Sequence, residues 1–402
     1  MRRVVIARPG GYERLRIEER PDPIPENGQV LVGVDAIGVN FADCITRMGL
    51  YASAKACVGY PLTPGFELAG EVLQVGTGAE GLAVGDRVIG LTRFGGYATR
   101  VVLPRQQVFA VPSGLTQPQA AGLCAVFLTA WFALFELAHP RPGEPILVHC
   151  AGGGVGGALV QLGKLAGCPV VGVVGAPHKV ATVSSLGADA VIDKSTEALW
   201  PAAERHAPGG YGVVLDANGA ETLAGSYSHL APAGRLVVYG FHSMFSKSRG
   251  RPNWLKLAVD YLRTPRFNPL RLTAENRSVL GFNLSFLFER MDLLLPGLHQ
   301  LLEWTEAGRL RPLPVTTYPF ERVADAHRDL ESGRTVGKLV LVTRPGGLKD
   351  GKGHKAEEEA TAEDAEDAEN AEESADRATK GVLPTAYSLR SPASFVPFVS
   401  LW

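Results

Sequence analysis

Cysteine is scarce in this 402-residue chain and poorly spaced for structural work. The five thiols, Cys44, Cys57, Cys124, Cys150 and Cys168, include no CxxC pair. Neither a disulfide framework nor a close-spaced zinc lobe is available, and reduced thiols of a cytoplasmic protein are expected. Long apolar runs are also missing. The richest stretch, Ala120 to Phe135, is apolar except for Thr129 and stops at Glu136, short of the roughly 18 to 20 residues that span a bilayer. It follows the capping-box pattern Thr116-Gln-Pro-Gln119, which predicts a buried helix. The N-terminal MRRVVIARPGGYERL lacks the apolar centre of a signal peptide. A net charge of -1 offers no excess of positive charge for a nucleic-acid partner.

What is present is a change of rhythm along the chain. Residues 1–120 read as short strands between Gly and Pro turns, with Val30, Val32, Val34 and Ala36 alternating as in a half-buried strand. From there to 272, strands alternate with helices: Ile146 to His149, a helix from about Val155, Val170 to Val174, and onward to Arg235–Tyr239. That order implies βαβ units and a parallel sheet. Within this part, 241–272 is rich in Lys, Arg and aromatic residues. Residues 273–343 are expected to return to the first domain, with a strand at Val279–Leu284 and helices at Leu293–Ala307 and Phe320–Glu331. Residues 344–402 hold 7 basic and 12 acidic residues, a composition that cannot bury a core; a disordered acidic tail is expected.

Between the first βα strand and its helix lies His149-Cys-Ala-Gly-Gly-Gly-Val-Gly156, the context a dinucleotide fingerprint requires. Two registers fit: Ala151-x-Gly153-x-x-Gly156 and Gly152-x-Gly154-x-x-Gly157. The cofactor loop is therefore Ala151, Gly152, Gly153, Gly154, Val155 and Gly156, with phosphates at the helix N-terminus. The second strand ends Val174-Gly-Ala-Pro-His-Lys179 without the acid that holds an NAD ribose. Lys179, assisted by Lys194, is placed for a 2′-phosphate, so NADPH is the expected cofactor. His149 is expected to satisfy local backbone groups rather than act as a base.

The runs Gly38-Val-Asn-Phe-Ala-Asp43, Arg47-x-Gly-x-Tyr51, Pro64-Gly-Phe-Glu-x-x-Gly70, Val84-Gly-Asp-Arg-Val88, Gly153-Gly-Val-Gly156 and Val336-Gly-Lys338 resemble the medium-chain quinone oxidoreductases. Asn40-Phe-Ala-Asp43 and Gly281-Phe-Asn, with the segment after Tyr239, resemble the VAT-1 branch of that group. The resemblance implies an α/β protein with a split GroES-like catalytic domain around a Rossmann doubly wound parallel sheet, the active site between them, and a homodimer. Where zinc alcohol dehydrogenases carry a ligating Cys and His, this chain has Asn40 and Phe66, so no metal is expected. The resemblance places Asn40, Asp43 and Tyr51 at the catalytic cleft, and Thr129, Gly240, Phe241 and Lys338 about the cofactor.

Two functions compete. One is zinc-independent, NADPH-dependent hydride transfer to a quinone or α,β-unsaturated carbonyl, where charge moves onto a conjugated oxygen. The other is a membrane-associated NADPH-binding protein with little turnover, because basic and aromatic residues interleaved over 241–272 suit peripheral contact with an anionic bilayer.

Overall fold

The structure is a computed structural model, described here over residues 1–245 and 250–344. The expected acidic tail, apart from Arg344, lies outside the described residues.

The first part contributes β1 (Arg2–Val5), β2 (Arg16–Glu19), β3 (Gln29–Val39), β4 (Glu67–Val75), β5 (Arg87–Leu91), β6 (Arg100–Pro104) and β7 (Val108–Ala110), with helices α1 (Phe41–Met48) and α2 (Ala52–Cys57) between β3 and β4. β1 and β2 pair with each other. The remaining strands form a largely antiparallel sheet around β3, which is completed from the far end of the chain by β14 (Val315–Pro319) and β15 (Lys338–Val342). Val30, Val32 and Val34 enter its core with Leu68, Leu103 and Leu341, as the alternation predicted, whereas Ala36, beyond a register shift against β4, enters the other core. β3 is buried on its other face as well, because α3 (Gln117–Ala121) packs there.

The apolar run from Ala120 is buried on all sides, which explains why it shows no polar stripe. It forms α3, whose N-cap Thr116 and Gln119 make the capping box. A break at Gly122 follows, then α4 (Cys124–Trp131) and a wider π-helical segment ending at Ala138. Among the described residues, no helix is long and apolar enough to cross a membrane.

The alternating part gives β8 (Ile146–Val148), α5 (Gly154–Leu165), β9 (Val170–Val174), α6 (Val180–Ser185), β10 (Ala190–Asp193), α7 (Leu199–His206), β11 (Tyr211–Asp216), α8 (Leu223–Ser228) and β12 (Leu230–Val238). Then come α9 (Trp254–Arg263), α10 (Pro269–Glu275) and β13 (Ser278–Gly281). The sheet order is β10-β9-β8-β11-β12-β13, all parallel. Its central strands β8 and β9 are apolar throughout because helices cover both faces. Ile146 and Val148 face one core while Leu147 faces the other, and Val213 and Leu215 are split from Val214 in the same way.

One boundary is corrected. The strand expected to begin the return to the catalytic domain is β13, and it pairs with β12. The parallel sheet therefore runs to Gly281, beyond the boundary read at 272. After it, α11 (Met291–Glu306) packs on α4, and the chain re-enters the catalytic sheet with β14, α12 (Val323–Ser332) and β15.

Candidate active site

The fingerprint loop is held from both sides. Its two candidate registers differ in what a side chain would strike. A Cβ on Gly156 would lie 2.2 Å from the Cys150 carbonyl oxygen and 2.7 Å from Ala151 Cα, all rigid backbone. A Cβ on Gly157 would meet only the movable tips of Leu313 and Leu186 at 2.9 and 3.1 Å. Close helix-strand packing therefore falls to Gly156, and Gly153 is the N-cap of α5. This is the Ala151-x-Gly153-x-x-Gly156 register. The first amides of α5, from Gly154, Val155 and Gly156, have no intrahelical acceptor and carry the positive end of the helix dipole. Across the loop, Gly337 donates its N–H to Gly152 O at 2.9 Å.

Of the two lysines proposed for a 2′-phosphate, Lys179 lies beside this loop and Lys194 stands near Gly175, after the second strand. A Cβ on Gly152 would come within 3.0 Å of Lys179 Cδ, and Lys179 Nζ reaches Gly333 O at 2.5 Å. Lys194 Nζ pairs with Glu221 at 3.0 Å. Thr129 is partly exposed and bonds back to Ala125 O at 2.7 Å. Gly240 and Phe241 follow β12 at the C-terminal edge of the parallel sheet. There a Cβ on Gly240 would sit 3.0 Å from Ala217 O.

On the catalytic-domain side, Asn40 stands between β3 and α1. Its Oδ1 accepts from Lys338 Nζ at 2.6 Å, and its Nδ2 donates to Glu67 Oε1 at 3.1 Å. The second amide proton has only Gly38 O, at 3.5 Å. Lys338 Nζ also pairs with Glu67 Oε1 at 2.7 Å, and Glu67 Oε2 accepts from Ala125 N at 2.7 Å. The ammonium of Lys338 thus belongs to the Asn40 pocket, while its preceding residue touches the fingerprint loop. Glu67 was visible in the Pro64-Gly-Phe-Glu motif, but nothing in that motif showed that it joins Asn40 to Lys338.

Asp43 is fully buried and braces two turns. Its carboxylate accepts from Asn40 N at 2.8 Å, Gly65 N at 2.9 Å and Tyr97 OH at 3.1 Å. Burial pushes its carboxyl up to about 7 despite those donors. Tyr97 and His327 continue the network, with Tyr97 OH 3.2 Å from His327 Nε2; burial keeps His327 well below the usual imidazole range. Tyr51 packs edge-on against Phe66, with centroids 5.9 Å apart. Its hydroxyl donates to Asn283 Oδ1 at 3.0 Å, and burial raises its phenol. Asn283 follows β13, so this bond joins the catalytic side to the nucleotide side.

His149 is corrected in its partner. Its Nε2 meets Ser226 Oγ at 3.0 Å rather than backbone, and its Nδ1 is buried without a partner. Ser226 Oγ in turn donates to Asp216 at 2.7 Å. Desolvation lowers the imidazole, partly offset by Asp216, so it remains a neutral packing group beneath Trp200.

The family profiles "Alcohol dehydrogenase GroES-like domain" and "Zinc-binding dehydrogenase" match residues 26–113 and 186–341. The second description implies a metal, and the residues present do not fit one. Phe66 offers no ligand atom, Asn40 is bonded at both ends of its amide, and the Lys338 ammonium already supplies the cation beside Glu67. A second cluster, Cys44, His327 and Glu331, is filled by the buried Arg47 guanidinium, which lies 2.8 Å from Glu331 and 3.4 Å from His327. Among curated proteins, the synaptic vesicle membrane protein VAT-1 homolog of Rattus norvegicus is 33% identical over 347 residues, 86% of this chain and 85% of its own. The Homo sapiens protein of that name gives 33%, 86% and 87%. Among solved structures, human VAT-1 homolog-like protein has a TM-score of 0.71 at 28% identity, covering 85% of this chain and 98% of its own. Escherichia coli quinone oxidoreductase complexed with NADPH has a TM-score of 0.74 at 26% identity, covering 85% and 100%. The chain therefore belongs to the VAT-1 branch of the medium-chain dehydrogenase/reductase superfamily, a superfamily of oxidoreductases.

Proposed function

We propose that this protein is a zinc-independent, NADPH-dependent oxidoreductase that passes hydride to a quinone or an α,β-unsaturated carbonyl. The observation that carries this reading is one junction: Gly337 donates to Gly152 of the fingerprint loop, and its neighbour Lys338 joins Asn40 and Glu67. An open helix N-terminus and Lys179 lie on one side, and a hydrogen-bonding pocket of Asn40, Glu67 and Lys338 beside Phe66 lies on the other.

Ala151 to Gly156 bring backbone close to the pyrophosphate, and Lys179 with Lys194 favours the 2′-phosphate over a bare ribose. Gly240, Phe241 and Thr129 border the nicotinamide, which supplies the hydride when bound. Asn40, Asp43 and Tyr51 shape the reacting end. Asn40 is oriented by the ion pair behind it, Asp43 fixes the Asn40 and Gly65 turns, and Tyr51 with Phe66 keeps the chamber apolar. Such a chamber favours acceptors whose charge develops on a conjugated oxygen and needs only neutral donors. Lys338 assists through Asn40. A second copy pairing along the outer edge of β13 is the proposed dimer.

A second reading is favoured by α9 and α10. Trp254 is 59%, Leu255 77%, Leu262 76% and Leu270 79% exposed beside Arg263 and Arg271. That face suits peripheral attachment to an anionic membrane by a protein that binds NADPH and turns over little. A screen of NADPH oxidation over quinones, enones and aldehydes, with and without exhaustive chelation, separates the readings. Chelator-resistant turnover supports the first. Cofactor binding without turnover, together with sedimentation on phosphatidylserine vesicles, replaces it with the second.

A further inference from the structure

Asn283 sits two residues beyond the end of β13, at the C-terminal edge of the parallel sheet where ligands of doubly wound folds bind. Its side-chain oxygen accepts from Tyr51 OH at 3.0 Å and from Ser285 N at 3.1 Å, and Ser285 Oγ lies 2.8 Å away. Ser285 is itself anchored by Ser53 at 2.7 Å. The Tyr51 and Ser285 donors on this oxygen fix the amide so that Nδ2 points away from them. Among the described residues nothing accepts from Nδ2, and Asn283 is partly exposed. Asn40, by contrast, keeps one amide proton on Glu67. Asn283 therefore offers a preset amide donor with no acceptor among the described residues, on the nucleotide side and one hydrogen bond from Tyr51.

We propose that Asn283 Nδ2 is the hydrogen-bond donor that receives the substrate oxygen, with Tyr51 as its positioning residue. The proposal rests on the reading that an enone or quinone is reduced. In an enone, the β-carbon gains hydride from the dihydronicotinamide. The C=C electron pair becomes the new C=C of an enolate as the carbonyl pair moves onto oxygen. Asn283 Nδ2 donates to that enolate oxygen without losing its proton. Water then protonates the α-carbon, leaving saturated ketone, oxidised nicotinamide and hydroxide. A neutral donor held ready by these bonds needs no reorganisation when charge arrives.

The test uses the full chain and two readouts. Asn283→Asp keeps an oxygen for Tyr51 and Ser285 but replaces the donor with a repelling carboxylate. Asn283→Ala removes both ends and controls for charge. With 2-cyclohexenone, kcat is expected to fall about 100-fold in both variants, with NADPH affinity unchanged. Independently of turnover, 4-nitrophenol titrated into the NADP+ complex is expected to bind as its phenolate. That affinity should fall at least about tenfold in Asn283→Ala, since one charge-assisted bond is lost. Loss of phenolate affinity in the variant supports the donor even where the wild type reduces no acceptor, an outcome that would remove the reductase reading alone. Equal phenolate affinity in both chains, or no phenolate binding by the wild type, overturns the proposal. A melting temperature kept within a few degrees shows that either variant is folded.

Discussion

The Lys338 ammonium and the Glu67 carboxylate lie 2.7 Å apart with side chains 3% and 0% exposed, and Asn40 bonds to both. β15 from the end of the folded body and β4 from its beginning supply the two charges. The pair therefore closes the catalytic sheet and sets the Asn40 amide in one act.

Removing the cation alone should leave a buried anion without compensation. Lys338→Met is expected to cost about 3–5 kcal/mol, whereas Lys338→Met with Glu67→Gln should recover much of that loss. Urea unfolding of both chains checks this. Equal midpoints for the single and double variants would show that the charge pair contributes nothing beyond packing.

Gly156 and Gly157 offer a paired test of the fingerprint register. Gly156→Ala forces a methyl against the Cys150 carbonyl and should abolish NADPH binding or folding. Gly157→Ala meets only Leu313 and Leu186 side chains and should stay within about 1–3 kcal/mol of the parent, the usual range for overpacking. Fluorescence titration with NADPH reads both; the opposite ranking would move the register by one residue.

How far the sequence carried the site is clear from these residues. The glycine cluster located the turn between β8 and α5 because a strand-turn-helix context needs only local pattern, but its register depended on a backbone contact to Cys150 that no spacing reveals. Asn40, Asp43 and Tyr51 do gather, yet their partners Lys338, Tyr97 and Asn283 come from remote segments. Side-chain pairing across 298, 54 and 232 positions leaves no periodic trace. The strand read at Val279–Leu284 was legible as a strand, though it ends at Gly281, whereas its sheet was not legible, since either domain could have offered it an apolar edge.

Asp43 gives a pH dependence with a definite sign. Its folded value, about 7, lies above its ordinary 3.8. Its contribution to stability is thus fully present below about 3.8 and is lost as pH rises through about 7. Inside that window the loss is about 1.4 kcal/mol per pH unit. His149 and His327, lowered by burial, act oppositely below the ordinary imidazole range, but Asp43→Asn retains both. The stability difference between parent and Asp43→Asn should therefore shrink from pH 5 to pH 7.5. A difference independent of pH would show that Asp43 stays ionised throughout.

Lys179→Ala tests cofactor choice. If the lysine on Gly152 meets a 2′-phosphate, its loss should weaken NADPH by roughly tenfold to a hundredfold, as expected for a charged hydrogen bond, while NADH changes little. Binding isotherms for the two nucleotides decide it, and parallel weakening of both would assign Lys179 to loop packing instead.

The position of β15 has a consequence for biosynthesis. It lies inside the catalytic sheet, between β14 and β3, although it is the last strand among the described residues. As the chain leaves the ribosome, the parallel-sheet domain can be complete while Ala36–Val39 of β3 still lacks its neighbour. The first domain must wait with an exposed edge until Leu339–Val342 emerges. Any pause in translation between β13 and β15 would therefore lengthen the interval in which the nascent protein depends on chaperones.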